Sequence, residues 1–171
     1  MKSHEVFQRM SPALAERLFE HFLATEKEGY RAAIEQLAPQ QKLRPIFVQR
    51  QPKPQRHAWM KTALARKPAD FLASNMLQVW LVGTQTQLLC DFLDSLGIAH
   101  DERGMIEQLP PPPADEALRA AIDSLLAKHE REVVAVYLHA FTATDDTPWP
   151  NLVDLLATDP RLQPGANSAT A

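Results

Sequence analysis

The chain has one cysteine, Cys90. A lone thiol cannot close an intrachain disulfide, so the sequence suits a reducing, cytoplasmic setting. Cys90 sits beside the Leu89 and Leu93 stripe with no histidine near it in sequence, which fits a small buried residue better than a nucleophile. Glycine is scarce, at 5 residues of 171, whereas proline reaches 14. That balance argues against a sheet with glycine turns and for helices punctuated by proline. The opening MKSHEVFQRM holds no apolar stretch of signal-peptide length, and no run approaches the roughly 20 apolar residues of a membrane span, so no membrane partner is expected.

Chemical motifs are missing as well. There is no glycine-rich phosphate cradle and no nucleophile elbow. None of the six histidines forms an H-x-x-x-H pair, and no E-x-x-H occurs. His129 and Glu132, three apart, suit exposed capping residues better than ligands. His100, Asp101 and Glu102 read as an acidic turn. Asp91 and Asp94 lie opposite a leucine stripe and read as a hydrated face rather than a Mg²⁺ pair. Asp145 and Asp146 suit a helix start. No catalytic residue, metal site or cofactor is expected.

What is present is helical periodicity, densest in the apolar block 67–98. Pro68 suits a first helical turn, and Phe71, Leu72, Asn75, Met76, Val79 and Trp80 fall on one side at 100° per residue. Leu77, Leu81 and Val82 extend apolar contact around the circumference, which predicts a central buried helix. Asn75, the polar residue in that arc, is expected to be enclosed with hydrogen-bond partners. Gly83 is expected as a left-handed C′ residue, and Thr84 with Gln87 as a capping box. A second, one-sided helix carries Leu88, Leu89, Phe92, Leu93 and Leu96. Gly97 should stop it in a Schellman turn that pairs Ile98 with Leu93.

Elsewhere the signals are shorter. Residues 1–10 form a short helix or fray. Ser11 and Pro12 start a helix as cap and first residue, with Leu14, Leu18 and Phe22 inward. Thr25 and Glu28 suggest another capping box, and Pro39 the end of the Tyr30, Ala33, Ile34 and Leu37 stripe. Pro54 opens a helix with Trp59, Met60, Ala63 and Leu64 on one side. Residues 98–107 read as a small hairpin or an irregular loop, and the prolines at 110–113 as a stiff spacer. Leu118, Ala121, Ile122, Leu125 and Leu126 mark a helix. Residues 133–141 are rich in β-branched side chains but helical in phase, and an isolated strand would have no partner, so a helix is expected. Thr147 and Pro148 start the last helix, with Trp149, Leu152, Val153 and Leu156 inward. The length suits a single all-α domain over 1–162, an irregular packing of about six to eight helices, with a disordered tail over 163–171.

Charge is the feature above background. No acidic residue occurs over 36–69, which holds eight basic ones: Lys42, Arg44, Arg50, Lys53, Arg56, Lys61, Arg66 and Lys67. Residues 1–35 carry net −1 and residues 70–171 net −10, so the overall −3 conceals a dipolar chain. Three readings follow. The segment folds against the acidic half of its own chain in surface pairs worth about 0–1 kcal/mol each. Or it docks an acidic protein or a second copy, charge steering the encounter. Or it binds nucleic acid, with Trp59, Phe47 and His57 as stacking groups. The sequence is read as a non-enzymatic, cytoplasmic interaction or regulatory protein that docks an acidic partner through 42–67. The candidate contact residues are Arg44, Arg50, Lys53, Arg56, His57, Trp59, Lys61, Arg66 and Lys67. Nucleic-acid binding through the same segment is one alternative. A small enzyme or ligand binder whose site is assembled from distant residues is the other.

Overall fold

A computed structural model describes residues 1–143 and 148–165. In chain order the α-helices are α1 (Ser3–Arg9), α2 (Pro12–Thr25), α3 (Lys27–Gln40), α4 (Pro45–Gln49), α5 (Lys53–Leu64), α6 (Asp70–Thr84), α7 (Thr86–Ser95), α8 (Asp115–Lys128), α9 (Arg131–Ala143) and α10 (Pro150–Thr158). Short 3-10 turns at Lys67–Ala69 and Pro160–Leu162 join them, and no strand occurs among the described residues. The all-α fold stands, with ten α-helices among the described residues in place of six to eight. Two of the ten, the short helix expected within 1–10 and an unexpected one at 45–49, bury only a few side chains. α1 sends Val6 and Phe7 into the core, followed by Met10, and α4 sends Val48.

Several local signals act as their chemistry requires. The Ser11 hydroxyl accepts the Leu14 N–H at 3.1 Å and caps α2, with Pro12 at the first helical position. Gly97 adopts φ +68°, the Ile98 N–H donates to the Leu93 carbonyl at 2.9 Å, and the Gly97 N–H donates to Asp94 at 3.0 Å. That pair of bonds is the expected Schellman stop of α7. Residues 133–141 are helical within α9.

Other signals yield to packing. α6 runs through Gly83 to Thr84, and a Cβ at Gly83 would lie 3.0 Å from His21 Nε2, so the glycine admits α2 rather than ending the helix. The Thr84 hydroxyl turns back to the Trp80 carbonyl and caps nothing. Nor does Thr25 form a capping box with Glu28; its hydroxyl bonds His21. Pro39 lies inside the last turn of α3.

The buried stripe of α6 is Ala73, Met76, Leu77, Trp80 and Leu81. Phe71 is 76% exposed, and Asn75 and Val79 also face outward. α6 is still central, packing against α1, α2, α5, α7 and α9. The helix enclosed on all sides is α9, whose residues 132–139 are all buried. Glu132 on α9 is 5% exposed and accepts the Ser11 N–H and O–H, each at 2.6 Å, and the Gly165 N–H at 3.1 Å. One carboxylate thereby ties the start of α2 to the end of the described chain. Of the expected tail, residues 163–165 lie against the fold, with Pro164 buried. Residues 166–171 lie outside the described residues, as do Asp145, Asp146 and Thr147.

The prolines at 110–113 are moored rather than free. The Trp149 indole N–H donates to the Pro110 carbonyl at 2.8 Å, and the Asn151 amide to that of Pro113 at 2.8 Å. Trp149 and Leu152 are buried as expected, but Val153 is exposed and Leu155 takes an inward place. No helix among the described residues is long and apolar enough to cross a membrane.

Candidate functional site

The basic segment folds into α4, α5 and their flanks, and its nine candidate residues separate into distinct settings. Arg44 and Arg50 bracket α4, are exposed, and form no ion pair among the described residues. Between them Ile46 is 50% and Phe47 56% exposed, while Val48 anchors the helix in the core. Five residues give little more than one turn, so one apolar side chain reaches inward and two are left outside. Lys42 precedes this turn, exposed, with φ 58°.

Lys53, Arg56 and His57 come together on α5 against α2 and α3. The Lys53 ammonium pairs with Glu20. The Arg56 guanidinium donates from Nε to the Tyr30 hydroxyl at 3.0 Å and from a terminal nitrogen to the Gln49 carbonyl at 3.0 Å, and lies 5.5 Å from the Tyr30 ring centre. Burial raises the Tyr30 hydroxyl above its ordinary pKa, and the Arg56 bond opposes the shift. Lys53 holds Glu20 below the usual carboxylate range.

His57 is 2% exposed, its ring set between Phe19 at 5.4 Å and Tyr30 at 5.9 Å. Its Nδ1 is 2.8 Å from Glu16 Oε2, close enough for an ion pair, yet neither ring nitrogen has the alignment of a hydrogen bond. A hydrogen bond weakens steeply off axis, so the contact is an ion-pair approach without a hydrogen bond. Ligand atoms of Glu16, Glu20 and His57 all lie within 4.8 Å of one another. Among the described residues no other group of three or more His, Cys, Asp or Glu side chains is so arranged.

Trp59 packs its ring against the core, with its indole N–H buried and unpartnered. Lys61 is half-buried, and loss of solvent lowers its pKa against the pull of Glu132. Arg66 and Lys67, exposed, lie past the other end of α5, a few residues before the open Phe71. The structure thus joins Lys53, Arg56 and His57 in one cluster and sets Arg44 and Arg50 around α4. It turns His57 and the Trp59 N–H inward, so neither is offered to a base or a partner.

Several carboxylates of the acidic half are paired within it. His129 Nε2 donates to Asp91 at 2.8 Å, His100 Nε2 is 3.2 Å from Asp94, and Arg161 joins Asp123 and Asp159 at 2.9 and 2.7 Å. Asp91 is therefore an interhelical partner, not part of a hydrated face, and Glu132 is buried apart from His129. No ion pair links segment 42–67 to residues beyond 70 among the described residues; its pairs run to Glu16 and Glu20 on α2. Cys90 is half-buried, its thiol 3.9 Å from the Glu102 carbonyl, and burial with Asp94, Asp101 and Asp91 nearby raises its pKa. That is the reverse of an activated nucleophile.

A half-open cavity of about 290 Å³ lies between α6, α7, α9 and the loop before α8, lined by Leu81, Leu89, Leu93, Met105 and Tyr137. It touches neither Asn75, Trp80 nor His57. Burial raises the Tyr137 hydroxyl far above its ordinary pKa, so it stays protonated. The cavity can seat a small apolar group, with Ser74, Gln78 and Glu107 also on its wall.

Glu16 and Glu20 escape a sequence reading tuned to H-x-x-x-H and E-x-x-H. Their signal is an E-x-x-x-E spacing on one face of α2, completed by a histidine from α5. No family model matches the chain, and no curated protein or solved structure is detectably similar to it.

Proposed function

We propose that the chain is an interaction protein that docks an acidic, amphipathic protein partner on the α4 face. The observation carrying this reading is Phe47, 56% exposed beside Ile46 at 50%, in a turn bounded by Arg44 and Arg50. An aromatic side chain beside arginines is the composition of binding hot spots, where a central apolar anchor is ringed by polar groups. Finishing the burial of Phe47 and Ile46 would contribute about 1–2 kcal/mol each. The charges flanking them along the chain have one sign, because no acidic residue occurs over 36–69. They favour an acidic partner in encounter rate and register more than in raw affinity.

The docking face is narrower than 42–67. Lys53, Arg56 and His57 are held by α2 and α3, which leaves Lys42, Arg44 and Arg50 around Ile46 and Phe47. Nucleic-acid binding loses one of its three stacking groups, His57, to the core, and Trp59 is partly buried against it.

The test compares wild type with Phe47→Ser and with Arg44→Glu/Arg50→Glu in crosslinking from native lysate, followed by binding to the purified partner. An acidic protein lost by both variants, with salt-dependent association, supports the reading. The same captured set for all three chains overturns it. Retention on DNA or RNA at low salt with a log–log slope of roughly −3 would move the assignment to nucleic acid.

A further inference from the structure

Lys53 occupies the open side of a set of donors that suits a metal ion. We propose that Glu16, Glu20 and His57 form a binding site for one divalent transition-metal ion, with Lys53 as its displaceable counter-charge. Three features support the site. The first is donor geometry. Glu16 and Glu20 stand one turn apart on α2, and α5 brings His57 to them, with all three ligand atoms within 4.8 Å of one another. Around an ion bound at about 2.1 Å, adjacent ligand atoms stand about 3.0 Å apart in octahedral and about 3.4 Å in tetrahedral geometry. The 2.8 Å between His57 Nδ1 and Glu16 Oε2 is close to such an edge.

The second feature is the unmet need of His57. A histidine 2% exposed normally hydrogen-bonds its ring nitrogens, yet here neither makes a hydrogen bond and Nδ1 has only its ion-pair contact with Glu16. Nδ1 stands beside a carboxylate without the alignment of a hydrogen bond. A metal ion between the two atoms would satisfy both. Phe19 and Tyr30 hold the ring in place, in the role that a carbonyl or carboxylate behind a ligating histidine more often fills.

The third feature is access. Glu16 is 43% and Glu20 42% exposed, so an ion can enter from solvent and water can complete its coordination. An imidazole with two carboxylates suits borderline ions such as Zn²⁺ better than Ca²⁺ or Mg²⁺, which prefer oxygen alone. Lys53 sets the sign of the control. Its ammonium now neutralises Glu20, and an arriving dication must displace it, which weakens binding. The three other histidine–carboxylate contacts, His4 with Asp70, His100 with Asp94 and His129 with Asp91, are each hydrogen-bonded pairs.

The full chain, stripped with chelator, is titrated with Zn²⁺ alone by calorimetry, with imidazole resonances followed by NMR. One equivalent should bind, and the His57 resonances should shift ahead of those of the other five histidines. Glu16→Gln/Glu20→Gln, at two half-buried positions, should lower affinity tenfold or more with unchanged helical circular dichroism. Lys53→Met should raise it severalfold. Binding that survives the glutamine variant, or that leaves the His57 resonances of the wild type in place, overturns the site.

Discussion

Two regions treat charge in opposite ways. In the acidic half, from α7 onward, several charged side chains pair within the fold: Asp91 of α7 with His129 at the end of α8, Asp94 with His100 in the following loop, and Arg161 with Asp159 and with Asp123 of α8. Around α4, Lys42, Arg44 and Arg50 face solvent beside an exposed phenylalanine. Net charge alone did not anticipate this. The most negative stretch spends much of its charge on structure, and the α4 cations remain available. A charge already paired has little left for a partner, whereas an unpaired one beside apolar surface can gain by association.

The sharpest way to break the comparison is at Glu132. Its carboxylate accepts three bonds inside the fold, two from Ser11 and one from Gly165. Glu132→Ala removes those acceptors and leaves the donors enclosed, so unfolding free energy should fall by about 2–4 kcal/mol. Thermal denaturation should show a drop in Tm of roughly 6–12 °C. Arg44→Glu/Arg50→Glu should stay within about 0.5 kcal/mol of wild type. Equal losses in the two variants would erase the distinction between structural and available charge.

Acid sharpens it next. His139 is 2% exposed; burial lowers its pKa to about 4, and its Nε2–H donates to the Leu162 carbonyl at 3.2 Å. Below about pH 6.5 the unfolded chain takes up a proton that the folded chain refuses, so stability falls with pH until folded His139 also titrates near pH 4. The loss across that window should be about 2–3 kcal/mol. His139→Gln should flatten it. The carboxylates of Asp91 and Asp159 act in the same sense, in a window lower down. The first is held down by Gln87 and His129 and the second by Arg161, so their stabilisation is present above the unfolded carboxylate pKa and lost below about pH 4. Chemical denaturation at pH 7, 5 and 3.5 separates the windows. A His139→Gln chain that tracks wild type between pH 7 and 4 would remove the histidine from the account.

Periodicity and cap chemistry made most helices readable, because α2, α5, α7 and α8 each bury a stripe their spacing defines. What stayed hidden depends on partners distant in sequence. Gly83 looks like a stop until His21 is packed against it. Phe71 and Val79 look buried on an ideal wheel, but the neighbours of α6 cover the arc from Ala73 to Leu81 instead. His57 reads as one of a basic run, and only the approach of α2 brings Glu16 and Glu20 to its ring. A run of like charge marks where to look; it does not say which members the fold will consume.

A smaller effect tests the one turn that periodicity and structure place identically. Gly97 holds φ +68° at the end of α7, with open space around its Cα. Gly97→Ala adds no clash and changes only the cost of a left-handed backbone, so it should destabilise by about 1 kcal/mol. Melting curves would resolve the roughly 2–4 °C shift expected for a chain of this length.

The smallest expected change in stability belongs to Phe47. Its ring leaves 56% of its surface in water, and Val48 rather than Phe47 anchors α4. Phe47→Ser should alter unfolding free energy by less than about 0.5 kcal/mol, since a mostly solvated ring contributes little to the fold. Val48→Ser, one residue along and 1% exposed, should cost about 2 kcal/mol or more, because it sets a hydroxyl where a buried side chain packed. A loss above 1 kcal/mol in Phe47→Ser would show that the ring serves the fold and would remove the anchor from the proposed interface. A silent melt joined to lost partner capture would instead locate the value of Phe47 in a contact outside this chain.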